Sequence, residues 1–130
     1  MVIAMVQKRK ILVVDDEEGF TDMVKLTLEA TGRFEVRIEN QGAEALNAAL
    51  QYKPDLILLD VIMPDLEGPD VLVELKSHKN AKDIPVVFLT ATVRKDEVDA
   101  QGGGDIAGHA FLAKPSTLDE LVTCINRHLD

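Results

Sequence analysis

Apolar residues along this chain fall into two alternating kinds of run. Ile11-Leu-Val-Val14, Leu56-Ile-Leu-Leu59 and Val86-Val-Phe-Leu89 are continuous, as strands covered on both faces require. Phe34-Glu-Val-Arg-Ile38 alternates, which suits a sheet edge, and Ala110-Phe-Leu-Ala113 makes a fifth strand. Between these runs the apolar positions keep helical spacing. Phe20, Met23, Val24, Thr27 and Leu28 share one helix face, and so do Leu118, Leu121, Val122, Ile125 and Leu129, with Thr117 as a cap. Ala43, Leu46, Ala49 and Leu50 form a small-residue stripe able to lie close to a sheet, and Val71, Leu72 and Leu75 mark a third helix. Residues 93–101 carry five charges and run into Gly102-Gly-Gly104, so a short or frayed fourth helix is expected there. Strand–helix alternation five times over predicts an α/β domain with a parallel sheet and right-handed crossovers.

Length and composition narrow this picture. At 130 residues the chain is one domain, and such a domain buries about two-thirds of the surface that its unfolded chain exposes. The 46% hydrophobic and 28% charged content excludes wholesale disorder. A net charge of −9 argues against direct contact with nucleic acid, which needs a basic surface. Cys124 stands alone, so neither an internal disulfide nor a cysteine metal cluster can form, and it reads as a packing residue. The apolar start Met1-Val-Ile-Ala-Met-Val6 precedes Lys8, Arg9 and Lys10, the reverse of a secretory signal, and no apolar run approaches the ~18 residues of a membrane span. A reducing, cytoplasmic setting without membrane contact is expected.

Candidate chemistry lies at the strand ends. Open parallel sheets gather functional groups beyond the carboxyl ends of their strands, where strand order reverses. Here the first strand ends in Asp15-Asp16, the third in Asp60, the fourth in Thr90 and the fifth in Lys114 before Pro115. If the first and third strands are neighbours, three carboxylates share a small volume with a hydroxyl and an ammonium. Three such acids raise one another's pKa unless a cation intervenes. Their oxygens suit Mg²⁺, which is commonly completed by phosphate oxygens. A phosphoryl group would then use the metal and Lys114 for charge neutralisation and one aspartate as nucleophile.

Leu12-Val-Val-Asp-Asp-Glu17, Asp60-Val-Ile-Met-Pro-Asp-Leu-Glu-Gly68, Pro85-Val-Val-Phe-Leu-Thr-Ala91 and Phe111-Leu-Ala-Lys-Pro115, in this order and spacing, resemble the receiver domain of bacterial response regulators. The resemblance runs from about Lys10 to Leu129, leaving residues 1–9 as an N-terminal extension and 10–130 as the receiver domain. It implies a doubly wound, flavodoxin-like (βα)5 fold with strand order 2-1-3-4-5. It further implies a phosphoacceptor switch in two-component signalling or a phosphorelay. Asp60 matches the residue that takes a phosphoryl group from a histidine kinase or a histidine phosphotransfer protein. Asp15, Asp16, Asp60 and the main-chain carbonyl of Ile62 match the Mg²⁺ ligands, with Mn²⁺ as a substitute. Thr90 with Ala91 matches the switch hydroxyl region, Phe111 the switch aromatic and Lys114 the phosphate-contacting lysine. The Lys114–Pro115 bond matches a cis peptide, and Ile62 and Thr92 match positions that tune phosphoryl lifetime. Self-catalysed phosphorylation with slow autodephosphorylation is expected, with readout to an output domain or partner through the fourth helix, fifth strand and fifth helix. The pattern leaves dimerisation open.

The chain departs from the family pattern at Gln101-Gly-Gly-Gly-Asp-Ile-Ala-Gly108, where a flexible output region is expected. Gly102, Gly104 and Ala107 formally make G-x-G-x-x-A, yet this follows a helix and opens a strand, the reverse of a dinucleotide loop. Phe111 replaces the common tyrosine, so no phenolic hydroxyl is available to a partner. Two other readings were weighed. A haloacid-dehalogenase-like phosphatase needs a second acid two residues after its nucleophile, where this chain has Ile62. A pseudo-receiver, an interaction module that never takes phosphate, would have no need of the complete acceptor set. His78, His109 and His128 offer no rival catalytic set.

Overall fold

The computed structural model describes residues 7–90, 105–106, 109–114 and 117–129. Strand β1 (Arg9–Val14) leads into α1 (Glu18–Ala30) and β2 (Phe34–Glu39). A 3-10 turn (Gly42–Glu44) opens α2 (Ala45–Tyr52), followed by β3 (Leu56–Asp60), α3 (Gly68–Lys76) and β4 (Val86–Thr90). Strands β5 (Asp105–Ile106) and β6 (His109–Ala113) precede a C-terminal helix, Leu118–Leu129. The sheet order is β2-β1-β3-β4-β6-β5. Its first five strands are parallel, the doubly wound order expected from the sequence. The two-residue β5 is an addition: it pairs antiparallel with β6 out of the glycine-rich stretch, where the sequence suggested only a loop. The proposed fourth helix over 93–101 and residues 101–104 and 107–108 lie outside the described residues.

Alternation along each strand divides the core into two layers. Leu12 and Val14 of β1, with Ile57, Leu59 and Phe88, pack against α2 and α3. Ile11 and Val13, with Leu56, Leu58, Val87 and Leu89, pack against α1 and the C-terminal helix through Val24, Leu28, Leu121 and Ile125. The continuous apolar runs follow from this two-sided burial. In α2 the buried small residues are Ala45, Ala48 and Ala49, and Ala43 is exposed. The reason is that Gly42–Glu44 turns as a 3-10 element first, so the helical phase begins at Ala45. Thr117 caps the C-terminal helix as expected. Its hydroxyl accepts the Glu120 N–H at 3.1 Å, and the Glu120 carboxylate accepts the Thr117 N–H at 3.3 Å.

Candidate functional site

Strand register brings the carboxyl ends together. The Asp15 N–H donates to the Glu39 carbonyl at 3.0 Å, extending the β1–β2 ladder by one residue, so Asp15 leaves the sheet edge fully buried. Asn40 fastens this corner, its amide donating to the Asp15 carbonyl at 2.8 Å and to Thr21 Oγ1 at 3.1 Å. Asp60 is the last residue of β3, and the neighbouring Val61 N–H donates to the Leu89 carbonyl at 3.0 Å. On the far side, the Lys114 N–H continues the β4–β6 ladder onto the Thr90 carbonyl at 2.8 Å. One edge of four adjacent strands thus presents Asp15, Asp60, Thr90 and Lys114.

Ligand oxygens of Asp15, Asp16 and Asp60 lie within 4.8 Å of one another; Asp15 and Asp60 are buried and Asp16 is exposed. Lys114 Nζ stands 2.7 Å from Asp15 Oδ2, 2.8 Å from Glu17 Oε1 and 3.7 Å from Asp60 Oδ1. Burial first, then the charge of Asp15, push the Asp60 carboxyl up to about 7; the Lys114 charge and a hydrogen bond from the Ile62 N–H pull the other way. Lys114 is shifted as well: burial is the largest influence and disfavours its charge, but hydrogen bonds to Asp15 and Glu17 and the charges of Asp15 and Asp60 outweigh it and raise its pKa. Several carboxylates therefore face a single ammonium, and burial together with the Asp15 charge makes Asp60 the one that resists ionisation. All-oxygen donors with surplus negative charge fit a hard divalent cation such as Mg²⁺.

The loop after Asp60 is held in place by contacts that sequence reasoning missed. The Asp65 carboxylate accepts the Ala43 N–H at 2.9 Å and the Gly42 N–H at 3.2 Å, and these bonds lower its pKa. The Gly68 N–H donates to the Val61 carbonyl at 2.8 Å, and a Cβ at Gly68 would run into the Asp60 carbonyl. The backbone can close over Asp60 only because that Cβ is absent. Of the remaining sequence-predicted residues, Thr90 is buried at the end of β4. Phe111 is buried opposite Phe88. Ile62, two residues after Asp60, is 58% exposed. Ala91, Thr92, Pro115 and the Lys114–Pro115 peptide bond lie outside the described residues.

Comparison with known proteins identifies the family and the fold. A sequence profile of the response regulator receiver domain matches residues 11–126. The probable transcriptional regulator ycf29 of Pyropia yezoensis is 38% identical over 118 residues, which cover 90% of this chain and 51% of the relative. The DNA-binding response regulator MtrA of Mycolicibacterium paratuberculosis is 33% identical over 122 residues, covering 94% of this chain and 52% of the relative. The chain spans about half the length of these relatives. Among solved structures, Vibrio cholerae chemotaxis protein CheY4 superposes with a TM-score of 0.79 at 29% identity, covering 95% of this chain and 100% of that one. The receiver domain of sensor histidine kinase PA1611 from Pseudomonas aeruginosa, with magnesium coordinated in its active-site cleft, gives 0.78 at 26% identity, covering 95% and 98%. With residues 11–126 matched and the same fold recurring in solved receiver domains, the chain belongs to the response regulator receiver domain family.

Proposed function

We propose that Asp60 takes a phosphoryl group from the phosphohistidine of a sensor histidine kinase or histidine phosphotransfer protein. The observation that carries this reading is the setting of Asp60, buried at the end of β3 between the Asp15–Asp16 pair and Lys114. An oxygen of the ionised carboxylate attacks phosphorus, forming a P–O bond as the P–N bond to imidazole breaks, and the departing imidazole nitrogen takes a proton. Mg²⁺ or Mn²⁺, held by Asp15, Asp16, Asp60 and the Ile62 main-chain carbonyl, would supply the positive charge that keeps Asp60 ionised and offsets the phosphoryl oxygens. Lys114, whose raised pKa keeps it charged, offers its ammonium to the same oxygens. The Thr90 hydroxyl and buried Phe111 are the switch pair, and phosphorylation shifts the conformational population by as much as their contacts differ between states.

The readout is proposed to pass to an output domain or partner. Relatives named as transcriptional or DNA-binding regulators are about twice this length, which supports an output outside the receiver region. No helix among the described residues is long and apolar enough to cross a membrane, and a cytoplasmic setting remains part of the proposal. Ile62, two residues after Asp60, is proposed to shield the acyl phosphate, giving slow autodephosphorylation; Thr92 is proposed to share that tuning. Following decay of the phosphorylated chain in Mg²⁺ tests this point: persistence over many minutes is expected, and decay within seconds contradicts it. Incubation with phosphoramidate, a small P–N donor, and Mg²⁺ tests the reading as a whole. Uptake that is lost in Asp60→Asn supports it, whereas a folded chain that takes up nothing is a pseudo-receiver.

A further inference from the structure

Glu17 occupies the N-cap position of α1, yet its side chain makes no capping hydrogen bond. Its carboxylate reaches out to Lys114 Nζ at 2.8 Å, although the Glu17 side chain is 61% exposed. The Phe20 ring, one helical turn on, has its centroid 4.8 Å from the same nitrogen. Asp15 takes a further bond at 2.7 Å, and Asp60 is left at 3.7 Å, beyond hydrogen-bonding distance. An ammonium has three N–H donors, and here two are committed away from the acceptor. Among the described residues Glu17 is not one of the clustered acids able to share a metal ion, which are Asp15, Asp16 and Asp60. Its carboxylate is given over to Lys114.

We infer that Glu17 is a positioning residue that holds Lys114 off Asp60, so that a phosphoryl group must draw the ammonium away from Glu17 in order to bind it. This deepens the phosphoacceptor reading and rests on it. Asp15 and Asp60 would hold the metal of the proposed site; Glu17 sets the resting position of the lysine by a contact that can be exchanged. An exposed ion pair is weak, so the restraint is a modest bias on the equilibrium.

Titration of the full chain with beryllofluoride at saturating Mg²⁺, followed by calorimetry, tests the inference. Glu17→Gln keeps the shape and removes the charge, and is expected to bind beryllofluoride about two- to fivefold tighter than wild type. Glu17→Asp keeps the charge, loses the reach and favours capping α1 in its place, so it is expected to tighten binding as well. Unchanged or weaker binding in Glu17→Gln overturns the inference. Tightening in Glu17→Gln with wild-type behaviour in Glu17→Asp also overturns it, because the carboxylate would then act by charge at a distance. A wild-type chain that binds no beryllofluoride overturns the phosphoacceptor reading itself, and the positioning role with it.

Discussion

At Asp60, burial and the charge of Asp15 oppose ionisation, while the proposed attack on phosphorus requires it. The consequence reaches stability. The folded carboxyl titrates near about 7 against 3.8 for the free group, so between these values the folded chain keeps a proton that the unfolded chain has released. Metal-free protein therefore loses stability as pH rises from about 4 to about 7, and Asp60 adds no slope outside that window. Asp60→Asn is expected to remove this part of the decline and to be more stable than wild type above the window. Urea unfolding across the pH range checks it, and identical slopes in both proteins would contradict the account. Single residues were also where the sequence was least legible. The acidic run Asp15-Asp16-Glu17-Glu18 could be read as helix-start acids, but the partner of Glu17 lies 97 positions away. Asn40 carried no chemical signature at all, because its function is a pair of hydrogen bonds to Asp15 and Thr21.

At the scale of elements, continuous apolar runs made β1, β3 and β4 readable, because a strand buried on both faces leaves no place for polar residues. The start of α2 was less so: a 3-10 turn shifts the helical phase and exposes Ala43, and periodicity alone does not register such a shift. The β3–α3 connection is recognisable as a motif, but its mechanics lie in long-range contacts that the motif does not show. Its glycine allows the backbone to pass the Asp60 carbonyl, and its Asp65 ties it to the turn before α2. Gly68→Ala must push that backbone aside, which is expected to cost about 1–3 kcal/mol. The same substitution is expected to slow phosphoryl uptake, since the displaced atoms belong to the acceptor residue. Chemical unfolding together with an uptake assay checks both, and wild-type stability would contradict the close approach.

At the scale of the whole molecule, charge among the described residues is unevenly distributed along the strand axis. Asp15, Asp16, Glu17, Asp60 and Asp65 gather with Lys114 at the carboxyl edge of the sheet, whereas Lys8, Arg9, Lys10 and Lys53, with Asp55 beside them, line a cavity at the opposite edge. The net charge of −9 averages over these two ends, so composition alone does not locate the acidic edge. An acidic edge that closes only with its strands in register should bind a divalent cation in the folded state alone. Mg²⁺ at a hundredfold excess over its Kd is expected to stabilise the fold by about 2.7 kcal/mol, visible as a rise in Tm that chelation reverses. Asp15→Ala is expected to weaken Mg²⁺ binding by about tenfold or more and so blunt that rise. An unchanged Tm shift in the variant would remove Asp15 from the ligand set.

The account turns on one carboxylate accepting one phosphoryl group. Mass mapping of the chain after incubation with acetyl phosphate and Mg²⁺ tests this most directly. The account predicts a single added phosphoryl group on the peptide that contains Asp60, absent without Mg²⁺ and absent in folded Asp60→Asn. A phosphoryl group on another residue, or undiminished uptake by the Asp60→Asn chain, would contradict it.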